Sequence, residues 1–358
     1  MITPNLNDKR IVFAVGATGG HVYPAIALAQ DMLETSVLFL VSTTKQDKAI
    51  LSRYPYLTRS IVSSARNPFI IMVALFQSLL VVLLFRPAVV LSTGGYLTFP
   101  VNIAAALLRI PVVLLEQNVI PGRVNRWSLK LARWMCISFP ETCSYFNQKD
   151  QKKLIVTGNP IRKTYFPDAN TALMDLACQL SCPSLLVLGG SQGARSLNMF
   201  IKMFYPFFLT GTWSLIHLCG HLDLHGTGQE SGFHIGNKEG EPRVLVMPYS
   251  ESMDRLYNKA DLVLSRAGAT TIAELMAFQK PAILVPYPHA SDNHQYLNAN
   301  AFVSQYPNQA SIMLESDLDF QHVQDRMASI DLAEPRAQPT FLANEKVTKL
   351  VNSLVSSL

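Results

Sequence analysis

The stretch Ser265-Arg-Ala-Gly-Ala-Thr-Thr-Ile-Ala-Glu274 follows a short apolar run, Asp261 to Leu264, in the pattern of a strand that turns directly into a helix. Small residues at such a turn let a ligand approach the backbone, and the first helical turn offers unpaired N–H groups and a positive dipole end. Glu274 is placed to accept hydrogen bonds from ribose hydroxyls. The stretch is typical of a nucleoside diphosphate site; a capped helix, in which Glu274 only complements the dipole, is the alternative.

Apolar runs of four to six residues alternate with helical patterns along the chain. Continuous apolar runs predict strands that are covered on both faces, and hence an α/β fold of doubly wound parallel sheets. We predict first-half strands at residues 10–15, 37–41, 88–92, 111–115, 134–138 and 154–156, with a weaker one at 58–62. We predict second-half strands at residues 184–188, 244–247, 261–264 and 282–285, with a polar loop before Pro242.

The length of 358 residues predicts two domains rather than one core. The alternation of strands and helices restarts at Ser184, after a stretch from Lys163 to Asn170 that contains Pro167 and is typical of a linker. We place the domains at residues 1–162 and 163–337, and we expect the last helix, residues 338–358, to pack back near their junction.

The composition restricts the class of partner. The chain is 49% hydrophobic and 15% charged, which suggests contact with lipid or a large interface. A net charge of +5 suits a phosphate-rich ligand or an anionic membrane but is too small to predict nucleic-acid binding. Five cysteines without metal-site spacing predict free thiols, and the polar N-terminus predicts a cytoplasmic protein.

An apolar segment runs from Phe69 to Phe85 between Arg66 and Arg86. It is nearly long enough to span a bilayer, but it lies between predicted strands of one sheet, which a span would place on opposite sides of the membrane. We expect one face to cover the sheet and the other to enter the interface of an anionic membrane. The alternatives are a fully buried crossover helix and an oligomer contact.

Several loops follow strands at what should be the ligand-binding edge of the first sheet. The turn from Gly16 to Pro24, which precedes a helix that we predict over residues 25–34, lacks the G-x-G-x-x-G spacing, and this disfavours a dinucleotide enzyme. His21 is a candidate general base, and a histidine that only caps or packs the turn is the alternative. The loops Ser92 to Tyr96 and Glu116 to Asn118 should line the same edge.

The second half adds polar groups for a phosphate and a sugar. Ser191 lies in a glycine-rich turn that can form an anion nest, and Arg162 can meet a phosphate bidentately. The histidines at 217, 221 and 225 are interrupted by glycine, so a metal site is disfavoured. Asp317 and Asp319 are better explained as a helix cap, and we expect no catalytic metal and no cofactor.

Seven motifs carry a family resemblance when taken in order. They are Gly16-Ala-Thr-Gly-Gly-His21-Val-Tyr-Pro24, Ser92-Thr-Gly-Gly-Tyr96, Glu116-Gln-Asn118, Gly158-Asn-Pro-Ile-Arg162, Gly189-Gly-Ser-Gln-Gly-Ala-Arg195, Arg266-Ala-Gly-Ala269 to Glu274, and His294-Gln-Tyr-Leu-Asn298. Together they resemble the MurG family of bacterial N-acetylglucosaminyltransferases over about residues 10 to 300. Ala17, Leu115 and Leu218 depart from the pattern, which usually has glycine, histidine and glutamine there.

The resemblance implies the GT-B fold, in which two Rossmann-like domains face each other across a cleft. Residues 1–162 would be the acceptor and membrane-associating domain, and residues 163–337 would bind UDP-N-acetylglucosamine. The implied reaction is an inverting, metal-independent transfer of N-acetylglucosamine to the 4-hydroxyl of MurNAc in lipid I, which gives lipid II for peptidoglycan. The enzyme would be peripheral, at the cytoplasmic face of the inner membrane.

The resemblance also implies residue roles. His21 would be the base, with Glu116 nearby, and Tyr96 and Gln117 would lie on the acceptor side. The donor would be bound by Thr18, Gly19, Gly20, Asn118, Arg162, Ser191, Ser250, Ala269, Thr270, Thr271, Ile272, Ala273, Glu274 and Gln295. Within that set, Glu274 would hold the ribose, Ser250 the uracil, Arg162 and Ser191 the diphosphate, and Gln295 and Asn118 the sugar.

Three other functions compete with this interpretation. A related transferase that glycosylates a membrane glycerolipid would differ in its acceptor. A nucleotide-sugar epimerase would share the fold, but a soluble substrate would not require the apolar helix. A non-enzymatic nucleotide-binding adaptor would bind the donor without turnover.

Overall fold

The computed structural model describes residues 9–16, 19–32, 35–43, 50–64, 67–163, 171–180, 183–190, 193–220, 233–238, 241–332 and 338–356. The chain divides into two compact units. The N-terminal unit comprises Met1–Lys163 and Phe341–Leu358, and the C-terminal unit comprises Thr164–Thr340. Each unit contains one twisted sheet with helices around it.

The sheet of the N-terminal unit contains seven strands among the described residues, in the order β3-β2-β1-β4-β5-β6-β7. Every pairing is parallel, and β1 is central, so that Ile11 lies beside Val37 on one side and Val89 on the other. The central strands are buried along nearly their whole length, as continuous apolar runs require. The strands are β1 (Lys9–Ala14), β2 (Thr35–Val41), β3 (Leu57–Ser60), β4 (Val89–Ser92), β5 (Val112–Glu116), β6 (Trp134–Ile137) and β7 (Leu154–Val156).

Helices follow these strands, as the doubly wound pattern requires. They are α1 (Gly19–Gln30), α2 (Pro68–Phe85), α3 (Thr98–Leu107), α4 (Arg123–Ser128) and α5 (Gln148–Gln151), with a 3₁₀ helix at Pro140–Tyr145. Two core clusters, one on each face of the sheet, include Phe13 with Phe39 and Leu114 with Val101. The carboxyl ends of β1, β4 and β5 therefore lead into α1, α3 and α4 along one edge.

The sheet of the C-terminal unit also contains seven strands among the described residues, in the order β10-β11-β9-β8-β12-β13-β14. It is parallel except for the antiparallel pair β10 and β11. The strands are β8 (Ser184–Leu188), β9 (Ser214–Leu218), β10 (Phe233–Lys238), β11 (Glu241–Met247), β12 (Leu262–Ser265), β13 (Ala282–Leu284) and β14 (Ala310–Ile312). The helices are α6 (Thr171–Gln179), α7 (Arg195–Lys202), α8 (Tyr205–Thr210), α9 (Met253–Lys259), α10 (Ala269–Ala277), α11 (His294–Gln305) and α12 (Phe320–Ala328).

The last helix, α13 (Leu342–Ser356), belongs to the N-terminal unit. Val347, Val351 and Val355 lie on one face at a spacing of four residues and are buried in the core that also contains α1. Asn344 accepts a 3.0 Å hydrogen bond from the Ile161 N–H and donates a 3.0 Å bond to the Ile161 carbonyl. These bonds tie α13 to the segment after β7. The predicted linker at residues 163–170 lies mostly outside the described residues.

The first difference from the sequence prediction concerns α1. We predicted a helix that begins after Pro24 and therefore a loop histidine, but α1 begins at Gly19 and His21 lies in its first turn. Pro24 is the sixth residue of α1 and removes the hydrogen bond to the Gly20 carbonyl, a loss that the helix accommodates close to its N-terminal end.

The second difference concerns the strands around Pro242. We predicted a polar loop up to Pro242, but β10 pairs antiparallel with β11 there. The pairing begins within the predicted loop, with Lys238 opposite Glu241. A neighbouring strand stabilises such a polar segment, because β-structure depends on tertiary context more than on local preference. The predicted cap at Asp319 is confirmed, since its carboxylate accepts hydrogen bonds from the Gln321 and His322 N–H groups.

One row of side chains on helix α2 is buried, and many of its other apolar side chains are exposed. Ala74, Ser78 and Val82 are buried at a spacing of four residues, whereas Phe76 is 63% exposed and Leu84 is 77% exposed. The fully buried crossover helix that we considered is therefore wrong. Helix α2 is long and apolar enough to cross a membrane. Its mean hydropathy is 2.6, and 17% of its residues are buried. However, β3 before it and β4 after it belong to one sheet, so it does not span.

Candidate functional site

In the N-terminal unit, the loops after β1 and β4 touch through their backbones. Gly94 and Gly95 have φ values of +94° and +90°, a region that side chains disfavour. A Cβ on Gly95 would lie 2.8 Å from the Gly16 Cα, and one on Gly16 would lie 2.5 Å from the Gly94 oxygen. Glycine is thus required on both sides of this contact. The contact brings together the loops that follow β1 and β4.

The imidazole of His21 lies against the same glycines. A Cβ on Gly16 would lie 3.0 Å from His21 Cδ2, and a Cβ on Gly94 would lie 3.5 Å from His21 Cε1. The ring is held between two backbone segments at the carboxyl edge of the sheet, and the residue is partly exposed. Such a position suits a base that takes a proton from a bound hydroxyl, and that role stays a prediction.

Glu116, at the end of β5, is almost completely buried, and its carboxylate accepts several hydrogen bonds. The donors include the Asn118 N–H at 3.1 Å, the Gly122 N–H at 2.9 Å and the Asn125 side-chain amide at 2.9 Å. Burial raises the pKa of this carboxyl above its usual range, and the hydrogen bonds oppose that shift. Glu116 therefore shapes the turn between β5 and α4, and its proposed part in catalysis stays a prediction.

Gln117 and Asn118, which follow Glu116 and were predicted to bind substrates, differ in their exposure. Gln117 is 2% exposed and donates a 3.2 Å hydrogen bond to the Leu115 carbonyl. Asn118 is partly exposed, and its carbonyl accepts a 3.2 Å bond from the Thr142 hydroxyl. Asn118 is thus the better placed of the two to meet a ligand, whereas Gln117 packs inside the turn.

Arg162 is buried within the N-terminal unit, with 5% of its surface exposed. Its guanidinium carbon lies 4.3 Å from the centre of the Tyr23 ring, and Nη1 lies 3.4 Å from the Tyr54 hydroxyl. Tyr23 is two residues from His21 on α1, so Arg162 supports that helix by a cation–π contact. The predicted contact of Arg162 with a diphosphate stays a prediction.

In the C-terminal unit, the glycine-rich turn after β8 packs on the end of β9. Gly193 has a φ of +81°, and a Cβ there would overlap the Cys219 carbonyl oxygen. Asn198, on the first turn of α7, donates a 2.7 Å hydrogen bond to that same oxygen. The turn is therefore fixed against β9. Ser191, the predicted phosphate ligand in this turn, and Thr18 in the first unit lie outside the described residues.

Arg266 connects several loops at the carboxyl edge of this sheet. Its guanidinium donates a 2.8 Å hydrogen bond to the Ser196 hydroxyl, contacts the Val285 carbonyl at 3.2 Å and pairs with the Glu315 carboxylate. It also lies 5.3 Å from the centre of the Tyr287 ring. We assigned it no role from the sequence, yet it holds the start of α7 and the loop after β13 together.

The first turns of α10 contain the predicted donor-binding residues from Ala269 to Ala273. The Ile272 side chain is buried in the core, so only its backbone can face a ligand. The hydroxyl oxygens of Ser265 and Thr270 are buried and have no hydrogen-bond partner among the described residues. Buried polar atoms without a partner are uncommon and indicate a missing ligand or water. They mark the N-terminus of α10, where an anion is favoured.

Three further residues that we predicted to bind UDP-N-acetylglucosamine form hydrogen bonds with neighbouring residues. Ser250 is fully buried in the turn after β11, and its hydroxyl accepts a 3.0 Å hydrogen bond from the Ser252 N–H. Gln295, on the first turn of α11, accepts a 2.9 Å bond from the Tyr287 N–H. Glu274 is 8% exposed and accepts a 2.9 Å bond from the Tyr257 hydroxyl. Within the described ranges, no group of His, Cys, Asp or Glu side chains is placed to hold a metal ion.

Sequence reasoning missed Tyr257 and Asn125. Each is buried and acts on a predicted site carboxylate from another element: Tyr257 from α9 and Asn125 from α4. The only available signal was a polar residue within an apolar helical pattern, which does not identify its partner.

Two family models match the chain. Residues 11–137 match the glycosyltransferase family 28 N-terminal domain, and residues 184–354 match the glycosyltransferase family 28 C-terminal domain. A relative from Desulfotalea psychrophila, named UDP-N-acetylglucosamine--N-acetylmuramyl-(pentapeptide) pyrophosphoryl-undecaprenol N-acetylglucosamine transferase, is 38% identical over 342 residues, which cover 90% of this chain and 88% of the relative.

Solved structures are also similar. The crystal structure of Acinetobacter baumannii MurG has a TM-score of 0.70 and 26% identity, and the alignment covers 96% of this chain and 99% of that one. A UDP-GlcNAc 2-epimerase from Neisseria meningitidis bound to UDP-GlcNAc has a TM-score of 0.56 and 13% identity. The alignment covers 96% of this chain and 100% of the epimerase chain. The second likeness concerns the fold alone.

Proposed function

The chain belongs to glycosyltransferase family 28, and we propose that it transfers N-acetylglucosamine from UDP-N-acetylglucosamine to the 4-hydroxyl of MurNAc in lipid I. The observation that carries this proposal is the 38% identity to the Desulfotalea psychrophila transferase, whose name states that donor and a pyrophosphoryl-undecaprenol acceptor. The predicted family, the GT-B fold and the glycosyltransferase class are confirmed. The product, lipid II, is a precursor of peptidoglycan.

The C-terminal unit binds the donor in this proposal. The diphosphate lies at the N-terminus of α10, where the helix dipole and N–H groups stabilise the charge that grows on the leaving group. The Ser265 and Thr270 hydroxyls are buried there without a partner among the described residues, which supports a ligand at this position. Glu274 accepts hydrogen bonds from the ribose, and the backbone at Ser250 reads the uracil.

The N-terminal unit supplies the base and binds the acceptor. His21 takes the proton from the sugar hydroxyl while the oxygen attacks the anomeric carbon of the donor sugar. The bond from that carbon to the diphosphate oxygen breaks as the new glycosidic bond forms, and the configuration inverts. UDP leaves with its charge held by protein groups, so the chemistry requires no metal.

Helix α2 holds the enzyme on the cytoplasmic face of the inner membrane, as a peripheral protein. Its exposed apolar face would lie in the interface of an anionic bilayer, with Arg86 at its end near the headgroups. Contact with a membrane suits an acceptor that is itself a lipid. The same contact distinguishes the proposal from the epimerase, whose substrate is soluble.

The test is radiolabel transfer from UDP-N-acetylglucosamine to a lipid I analogue in the presence of EDTA, with diacylglycerol vesicles as the competing acceptor. Labelled disaccharide on lipid I alone supports the proposal. Label on diacylglycerol identifies a glycerolipid transferase, and conversion of the donor to UDP-N-acetylmannosamine identifies an epimerase. Dependence on added Mg²⁺ would contradict the metal-independent mechanism.

A further inference from the structure

The first turns of α2, α3 and α4 converge around a small pocket in the N-terminal unit, with a cavity volume of about 90 Å³. The residues that form its apolar wall are Ile71 and Ala74 from α2, Phe99 from α3, and Val124 and Trp127 from α4. The rings of Phe99 and Trp127 meet edge to face at 5.9 Å. Trp127 is 54% exposed, so an apolar ring lies between the pocket and the solvent.

A cationic group stands at the rim of this pocket. Tyr96 lines the pocket, and its hydroxyl accepts a 3.4 Å hydrogen bond from the Arg123 guanidinium. Arg123 is exposed, and its planar fork can pair with two phosphate oxygens. An apolar pocket beside a guanidinium fits a chain of hydrocarbon that ends in a phosphate or pyrophosphate.

The pocket lies between the proposed membrane face and the proposed base. On one side, Met72 and Phe76 follow its wall along α2 and are 65% and 63% exposed. On the other side, Tyr96 is two residues after Gly94, where an added Cβ would lie 3.5 Å from the His21 ring. Its Cα is thus at most about 7 Å from that of Gly94 along the chain. The membrane face, the pocket with Arg123 at its rim, and the proposed base thus follow one another. A molecule with a lipid chain, a pyrophosphate and a sugar has its parts in the same order.

We propose that this pocket binds the isoprene units nearest the pyrophosphate of a polyprenyl pyrophosphate acceptor, and that Arg123 pairs with the pyrophosphate. The inference rests on the proposed function, because that function makes the acceptor a polyprenyl lipid. The enclosed part of the pocket measures only about 90 Å³, so it holds the start of the chain, and the remainder lies along α2 in the lipid.

The first experiment measures binding without turnover. Geranyl pyrophosphate, which is soluble, is titrated while the tryptophan emission of the protein is followed, with inorganic pyrophosphate as the matched ligand. We expect a shift to shorter wavelength with geranyl pyrophosphate alone, and loss of that shift in Trp127→Phe. Equal responses to the two ligands, or no response to either, would refute the proposal that the pocket binds the isoprene chain.

The second experiment compares two soluble lipid I analogues, one carrying a geranyl chain and one a methyl group on the pyrophosphate. Without detergent or vesicles, we expect kcat/KM to be about tenfold or more higher for the geranyl analogue, since several buried carbons contribute. In Ser63→Trp, which fills the mouth from an exposed position, the ratio should fall to below about threefold. Ser144→Trp, an exposed serine outside the pocket, should keep it.

The two experiments separate the inference from the proposed function. If the wild-type protein uses both analogues equally well, the proposed function stands and the pocket is refuted. If it uses neither analogue but Trp127 still responds to geranyl pyrophosphate, the pocket stands and the proposed function fails. An unchanged ratio in Ser63→Trp would also refute the pocket.

Discussion

The phenol oxygen of Tyr257 lies 2.9 Å from Oε2 of Glu274, and its hydroxyl donates to that carboxylate. Tyr257 is completely buried, and its ring stacks on Phe278 with 5.3 Å between the ring centres. A rigid, packed ring therefore fixes one oxygen of the carboxylate that we propose for the ribose. Fixing it beforehand reduces the entropy lost when the donor binds.

The first prediction is that Tyr257→Phe weakens UDP-N-acetylglucosamine binding about threefold to tenfold. The change removes one hydrogen bond of about 1 kcal/mol and keeps the ring, so the carboxylate loses its orientation while the core stays packed. Isothermal titration calorimetry measures the dissociation constant. The value of kcat at saturating donor should change little, because Tyr257 acts through Glu274.

A double-mutant cycle isolates that mechanism. Glu274→Ala alone should weaken donor binding more than Tyr257→Phe does, and adding Tyr257→Phe to it should have no further effect. Tyr306→Phe, in which the ring beside Phe302 is retained, is the matched control. Additive effects of the two changes would show that Tyr257 contributes only general stability.

The second prediction concerns His21. We expect His21→Ala to lower kcat about 100-fold or more, because the acceptor hydroxyl loses its general base, while the dissociation constant for UDP stays within about twofold. Steady-state rates at saturating concentrations of both substrates measure the first quantity, and calorimetry measures the second. A kcat near the wild-type value would exclude His21 as the base, and His322→Ala on α12 serves as the control.

Most strands could be predicted from the sequence, because an apolar run that is buried on both faces leaves a strong signal. The strand β8 (Ser184–Leu188) was predicted to the residue. The strand β10 was missed, because its stability comes from pairing with β11 rather than from its own polar sequence. The start of α1 was misplaced, because Pro24 is a helix-start signal that also fits within the early turns of a helix.

The candidate site divides in the same way. His21 and Gly94 follow β1 and β4 of one sheet, and Glu274 follows β12 of the other. Each lies beyond the carboxyl end of a parallel strand, so its placement within its own sheet follows from topology. The hydrogen bond of Asn125 to Glu116 and that of Tyr257 to Glu274 depend on side chains from different elements. Spacing along the chain does not encode such pairs.

The third prediction follows from His217, which is 1% exposed. Asn198 donates to the Cys219 carbonyl, so its side-chain oxygen accepts from His217 Nε2–H at 2.9 Å, and His217 Nδ1 accepts from the Tyr205 hydroxyl at 2.7 Å. This arrangement requires a neutral ring with the proton on Nε2. Burial accordingly lowers the pKa of His217 from 6.5 to about 3.

The unfolded chain then binds a proton at His217 below about pH 6.5, whereas the folded chain does so only near pH 3. The contribution of His217 to the free energy of unfolding of the C-terminal unit should therefore be constant above pH 6.5. Below pH 6.5, it should make this free energy fall by up to about 1.4 kcal/mol per pH unit. Urea unfolding followed by Trp213 emission, with Trp127 and Trp134 replaced by Phe, measures this slope. His217→Gln should be less stable at pH 7.5 and show a shallower slope; an identical slope would contradict the assignment.

The last prediction concerns the exposed face of α2. Phe76→Ser combined with Leu84→Ser should lower binding to phosphatidylglycerol vesicles about 100-fold or more, because each side chain contributes roughly 1.5–3 kcal/mol when it leaves water. Both are exposed in the protein, so the melting temperature should be unchanged. Cosedimentation measures the partition, and Leu342→Ser on α13, an exposed leucine of the same unit, is the control. If the double variant still binds the vesicles as the wild type does, α2 does not contact the bilayer, and an oligomer contact becomes the better explanation of its apolar face.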